Sequence, residues 1–146
     1  MPTPTYRELS KDECLAVLRR NQYGRLAFTL HDRVDVEPIH YVLDGDWLYM
    51  RTSAGTKVSS LRHGPWIAFE VDEVRAPFDW TSVVAKGTVY FVSGAKGAED
   101  PKQYKKALEI LRRLMPEAMT EQDPTPSRNI ILRISLNELH GRASLP

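Results

Sequence analysis

The sequence predicts a mainly β fold, an antiparallel β-barrel with flanking helices, and three observations predict it. Six short runs rich in β-branched and aromatic residues outnumber three stretches of helical spacing. The early connections are of hairpin length. Strands and helices do not alternate in the regular way that a parallel α/β sheet requires. The 146 residues read as one domain, residues 1–146, and at 42% hydrophobic residues they suffice for a real core.

Residues 1–9 carry two prolines and read as an extended arm. Ser10 and Glu13 stand at capping-box spacing and start a helix that runs to about Arg20. Leu15, Val17 and Leu18 give it an apolar side, Cys14 reads as core filler, and Asn21 with Gly24 forms its stop. Residues 25–30 (RLAFTL) form a strand, 31–35 a turn and 36–43 (VEPIHYVL) a second strand. Pro38 cannot donate to a ladder, so this strand has an edge, a bulge or a face turned away from a neighbour. Asp44-Gly45-Asp46 is a tight hairpin into a third strand, 47–52. A short helix over about 56–62 ends at Gly64-Pro65, and a fourth strand follows at 66–72. A fifth strand, 81–92, is broken at Gly87, and 93–101 is a glycine-containing connection. Tyr104, Leu108, Leu111 and Met115 share one face of a helix over 102–114. A proline-rich loop at 123–127 leads to the sixth strand, 129–136.

Composition removes several function classes. The net charge is +1 and no basic block or aromatic-interleaved Lys/Arg stripe occurs, so neither nucleic acid nor a membrane surface is an expected partner. No signal-peptide pattern and no apolar run near the ~18 residues of a membrane span is present. The single cysteine makes no internal disulfide and has no ligand spacing, so a reducing cytoplasm is the default location.

The chemistry concentrates in residues 49–61, YMRTSAGTKVSSL. An apolar run ends at Met50, then Arg51, Thr52, Ser53, Gly55, Thr56 and Lys57 follow before Val58 and Leu61 begin helical spacing. Two cations, three hydroxyls and a glycine at a strand-to-helix junction offer a phosphate fixed donors, positive charge and a close backbone approach. It is not a Walker loop, because the first glycine is missing and Val58 replaces the magnesium-binding hydroxyl. Standing alone, the stretch reads equally as a polar turn that caps a helix. Elsewhere there is no G-x-S-x-G elbow, and His31, His40, His63 and His140 are too scattered for a metal site. His40, in the strand with Pro38 and beside Tyr41, is the one candidate for proton chemistry. The pieces fit a scheme in which a cofactor lays its phosphate at Arg51–Lys57 and its rings along Pro38–Tyr41.

Three segments, LSKDECLAVLRRNQYGRLAF, PIHYVLDGDWLYMRTSAGTKVSSL and WTSVVAKGTVYFV, together resemble the pyridoxamine 5'-phosphate oxidase-like flavin-binding split-barrel superfamily. The likeness is greatest to its small bacterial branch of nitroimidazole-resistance-type proteins. It covers residues 8–93 well and the C-terminal helix and strand in kind. It implies a six-stranded antiparallel split β-barrel and a homodimer with two FMN sites at the interface. By resemblance, Arg51, Thr52, Ser53, Thr56 and Lys57 hold the FMN phosphate. Val36, Pro38, Ile39, His40 and Tyr41 run along the isoalloxazine or ribityl chain, and Ser82 approaches the flavin with Trp80 beside it. The true oxidase carries a C-terminal tryptophan and arginine that grip substrate and cofactor. This sequence ends in ASLP with Arg142 as the only cation there, so pyridoxamine phosphate oxidation is not expected.

The leading expectation is an FMN-dependent oxidoreductase, reduced by a nicotinamide and acting on a small acceptor such as a nitro compound or quinone. One alternative is the deazaflavin F420, whose acidic tail would want Lys96, Lys102, Lys105 and Lys106. Another is a non-catalytic flavin or haem binder, with His40 or His140 as axial ligand to haem.

Overall fold

The computed structural model describes residues 3–92 and 100–146. The connection at 93–99, with Lys96, lies outside them. The elements are β1 (Thr5–Leu9), α1 (Lys11–Arg20), β2 (Tyr23–Leu30), β3 (Arg33–His40), β4 (Val42–Asp44), β5 (Trp47–Thr52), α2 (Thr56–His63), β6 (Trp66–Ala76), β7 (Asp79–Val92), α3 (Pro101–Leu111), β8 (Ile130–Ser135) and β9 (Glu138–Leu145). All strand pairings are antiparallel, and they run β3-β2-β6-β7-β8-β5-β4 with β9 and β1 added along β7. This is a split β-barrel with helices outside it.

The described residues form nine strands against the six expected, and the additions have two causes. β1 replaces the expected arm and pairs along its whole length with β9, which also pairs with residues 80–86 of β7. Neither TYREL nor ELHGRASL shows a continuous apolar face: β1 is exposed up to Leu9, and β9 buries only the small Gly141, Ala143 and Ser144, so ladder hydrogen bonds hold the pair. The expected strand 36–43 divides at Tyr41. That residue leaves the β2 ladder and donates its amide to Gln22 (3.0 Å) and its hydroxyl to the Leu18 carbonyl (2.7 Å). Its ring packs edge-on against Phe69, with centroids 5.0 Å apart. The turn at 31–35 shrinks to His31 and Asp32, with His31 at φ 57°. β3, with Pro38, ends the sheet path as the sequence requires of a strand lacking a donor.

Two glycines behave differently from expectation. Gly24 does not stop α1, which ends at Arg20 with Asn21 extended; it lies inside β2, where a Cβ would come 2.7 Å from the Glu70 carbonyl oxygen and overlap Phe69. Gly87 does not break β7 but lets it change sheets. Residues 80–86 pair with β9 and 89–92 with β8, and a Cβ at Gly87 would overlap the Ser135 carbonyl oxygen.

The capping box at Ser10 and Glu13 forms as expected, with Glu13 also held by Arg7 at 2.7 Å. Cys14, Val17 and Leu18 of α1 and Val58 and Leu61 of α2 are buried, and all but Val58 join the main core with Leu26, Phe69 and Leu132. α3 covers a second cluster on β5 and β8, built on Ala107, Ile110, Leu111, Tyr49 and Ile131. No described helix is long and apolar enough to cross a membrane.

Candidate functional site

β5 ends at Thr52, and the loop 53–55 turns the chain into α2. Gly55 makes that turn at φ 155° and ψ −166°, a conformation for residues without a Cβ. As the residue before the helix it offers no side-chain cap, and no acidic residue occupies the first turn. The leading amides of α2 are therefore left for an outside acceptor, at the positive end of the helix. A cavity of about 400 Å³ lies there, lined by Glu37–Ile39, Arg51–Lys57 and Arg128. A second cavity of about 350 Å³ adjoins it, lined chiefly by Leu111, Leu114 and Met115 with His40 and Thr125. Arg51 and Arg128 line both. One cavity is polar and cationic, its neighbour apolar.

The cations are not equivalent. Arg51 gives Asp123 two hydrogen bonds, at 2.6 and 2.8 Å, and reaches the Thr125 hydroxyl (2.6 Å) and the Arg128 carbonyl (3.3 Å). Both Nη groups are thus committed inside the protein. The Arg51 guanidinium beside Asp123, helped by the Met119 and Thr125 amides, holds that carboxyl well below the usual carboxylate range. Lys57 is paired with Glu37. Arg128 has no ion pair among the described residues, so it is the cation at this cavity whose charge is not already answered.

Of the residues singled out from sequence, Pro38, Ile39, Arg51, Thr52, Ser53, Thr56 and Lys57 come together around the polar cavity. His40 lies at the apolar one, its ring 4.7 Å from that of Tyr23. Three others lie elsewhere. Val36 is exposed on the sheet face opposite Ala27, Tyr41 is in the core, and Ser82 stands on β7 opposite Asp72, outside both cavities. Trp80 is paired with Val74 and lies 6.2 Å from the Tyr6 ring. Sequence reasoning missed Asp123 and Arg128, which approach through folding of the loop before β8. The run DPTPSR, with an Asp and an Arg among turn-formers, was the available signal. Lys102, Lys105 and Lys106 are exposed on α3, and Lys106 lies 4.0 Å from Asp44.

Residues 10–143 match the family model described as Pyridoxamine 5'-phosphate oxidase. A FAD-binding protein of Mesorhizobium loti is 27% identical and superposes with a TM-score of 0.76, over 97% of this chain and 99% of that one. A protein of Bacteroides thetaiotaomicron, proposed to be a 5-nitroimidazole antibiotic resistance protein, shares the fold at 16% identity, with a TM-score of 0.72 over 98% of this chain and 90% of that one. A FAD and haem binding protein of Mycobacterium smegmatis does so at 18% identity and a TM-score of 0.68, covering 95% and 74% of the two chains. A match spanning nearly the whole barrel, together with these structural relatives, places the chain in the pyridoxamine 5'-phosphate oxidase family.

Proposed function

We propose that this protein is a flavin-binding oxidoreductase whose flavin phosphate lies in the polar cavity at the start of α2 and whose ring system enters the apolar cavity beside it. The observation that carries this reading is the uncapped N-terminus of α2, opening at Gly55 onto hydroxyls and the unanswered Arg128. A ring needs the opposite environment, and Leu111, Leu114 and Met115 supply it. The FAD-binding relative at 27% identity supports a flavin as the occupant.

The donor set fits FMN. Thr52, Ser53 and Thr56 would donate hydroxyls, the first turn of α2 amides, and Arg128 the charge, with Lys57 beside it already paired to Glu37. Arg51 acts differently from a direct phosphate ligand, since Asp123, Thr125 and the Arg128 carbonyl occupy its Nη donors; it braces the wall between the two cavities. His40 lines the apolar cavity and is the candidate for proton transfer at the ring. A bound flavin supplies two-electron chemistry, accepting from a nicotinamide and reducing a small acceptor such as a nitro compound or a quinone. A homodimer belongs to this reading. Ser82 lines neither cavity of its own chain.

The test is a titration of FMN into the purified chain, read by quenching of flavin fluorescence and by the absorbance spectrum. Saturable quenching at micromolar protein is the expected result. Unquenched flavin throughout that range would sink the proposal.

A further inference from the structure

A third cavity, of about 450 Å³, begins where the first one ends. It is lined by Thr29, His31, Thr56, Ser59, Ser60, His63 and Gly64. Thr56 belongs to both cavities. The arrangement is written into α2. Thr56, Ser59, Ser60 and His63 stand at i, i+3, i+4 and i+7, a stripe of three hydroxyls and an imidazole along one side of the helix, while Val58 and Leu61 face the core. At 1.5 Å rise per residue this stripe runs about 10 Å from the phosphate end.

The facing wall is the end of β2, with Thr29 and then His31 in its left-handed turn position. Gly64 keeps the floor open, for a Cβ there would sit 3.2 Å from the Thr29 hydroxyl. His63 Nδ1 lies 2.8 Å from the Ser59 carbonyl. A carbonyl only accepts, so Nδ1 carries the hydrogen in the neutral ring and Nε2 is left as an acceptor. Among the described residues the lining holds no carboxylate and no large apolar side chain. Such a groove suits ribose hydroxyls, an amino-substituted base and a second phosphate, and offers little to an apolar group.

We propose that this groove binds the nucleoside monophosphate end of a flavin dinucleotide, so that the chain takes the dinucleotide in preference to the mononucleotide. The proposal rests on the flavin reading of the first cavity. A group esterified to a phosphate held at Thr52–Lys57 passes over Thr56 directly onto the hydroxyl stripe.

The experiment compares dissociation constants of FMN and FAD for the full chain, and repeats both with Ser59→Trp, which fills the groove, and with His63→Ala. Both side chains are exposed, so the fold tolerates the changes. For the unsubstituted chain FAD is expected to bind at least about tenfold more tightly than FMN, a difference of about 1.4 kcal/mol. Ser59→Trp should abolish that advantage and His63→Ala should reduce it, each leaving FMN affinity unchanged. Equal affinities in the unsubstituted chain, or an advantage that survives both substitutions, overturn the dinucleotide assignment while leaving the flavin site standing. Failure of FMN and FAD alike overturns the flavin site itself, and this inference with it.

Discussion

In the proposed site, Arg51 and Arg128 divide the work that a sequence reading assigns to one arginine. Arg51 is nearly enclosed and spends its Nη donors on Asp123, Thr125 and the Arg128 carbonyl, so its removal strands a buried carboxylate. Arg51→Ala is expected to lower the melting temperature clearly, with any loss of flavin affinity following from the damaged wall. Arg128→Ala should do the reverse. It should weaken FMN binding by roughly 10- to 100-fold, as for one charge-assisted contact of about 1.5–3 kcal/mol, at an unchanged melting temperature. Thermal melts and titrations on the two variants separate the roles. If both arginines alter affinity alone, the bracing role of Arg51 is wrong.

Glu70 carries a different prediction at this scale. Partial burial, and then Asp72 beside it, push its carboxyl up to about 7, while Arg25 and Ser82 pull against them. A raised carboxyl favours the folded state below its ordinary 4.5, and that contribution disappears as pH rises through about 7. The melting temperature should therefore fall between about pH 5 and about pH 8, and Glu70→Gln should flatten that slope. Equal slopes in the two proteins would assign the dependence to other groups.

At the scale of elements, two glycines do work that composition does not reveal. Gly87 sits where β7 passes from β9 to β8 against the Ser135 carbonyl, so Gly87→Ala should lower the melting temperature strongly or prevent folding. Gly55 has open space around it, and its constraint is backbone angle alone. Gly55→Ala should leave a folded barrel with the start of α2 re-aimed and flavin affinity reduced. Circular dichroism with an FMN titration distinguishes the two outcomes. A Gly55→Ala protein that binds FMN normally would remove the amides of α2 from the site.

For the whole molecule, the outer face of the sheet is the feature that asks for a partner. Val34, Val36 and Trp66 are 78%, 57% and 51% exposed, and the ladder places them on one side with Tyr23 and Val74. A monomer leaves this apolar surface in water, which a second copy would cover. The expected mass in solution is twice the 16.7 kDa of the chain, checked by analytical ultracentrifugation. Val36→Lys should shift the population toward monomer and weaken flavin binding together. A monomeric unsubstituted protein that binds FMN would overturn the interface assignment.

Much of the barrel was legible because local chemistry was consistent: the capping box at Ser10, the Gly45 hairpin, the β5 run and the Gly64 stop each agree with the global arrangement. The polar cavity was legible for the same reason, since Arg51 to Lys57 are neighbours in the chain and remain so in space. β1 and β9 were not, because their stability comes from pairing with each other and with β7, a non-local term that leaves little trace in either segment. The roles of the cations were hidden likewise. Asp123 lies 72 residues from Arg51 in the chain, and only folding brings its carboxylate onto the guanidinium, which leaves Arg128 as the lining cation without an ion pair among the described residues. Residue types and their order decided which chemistry was present; long-range pairing decided which of those groups were still available to use it.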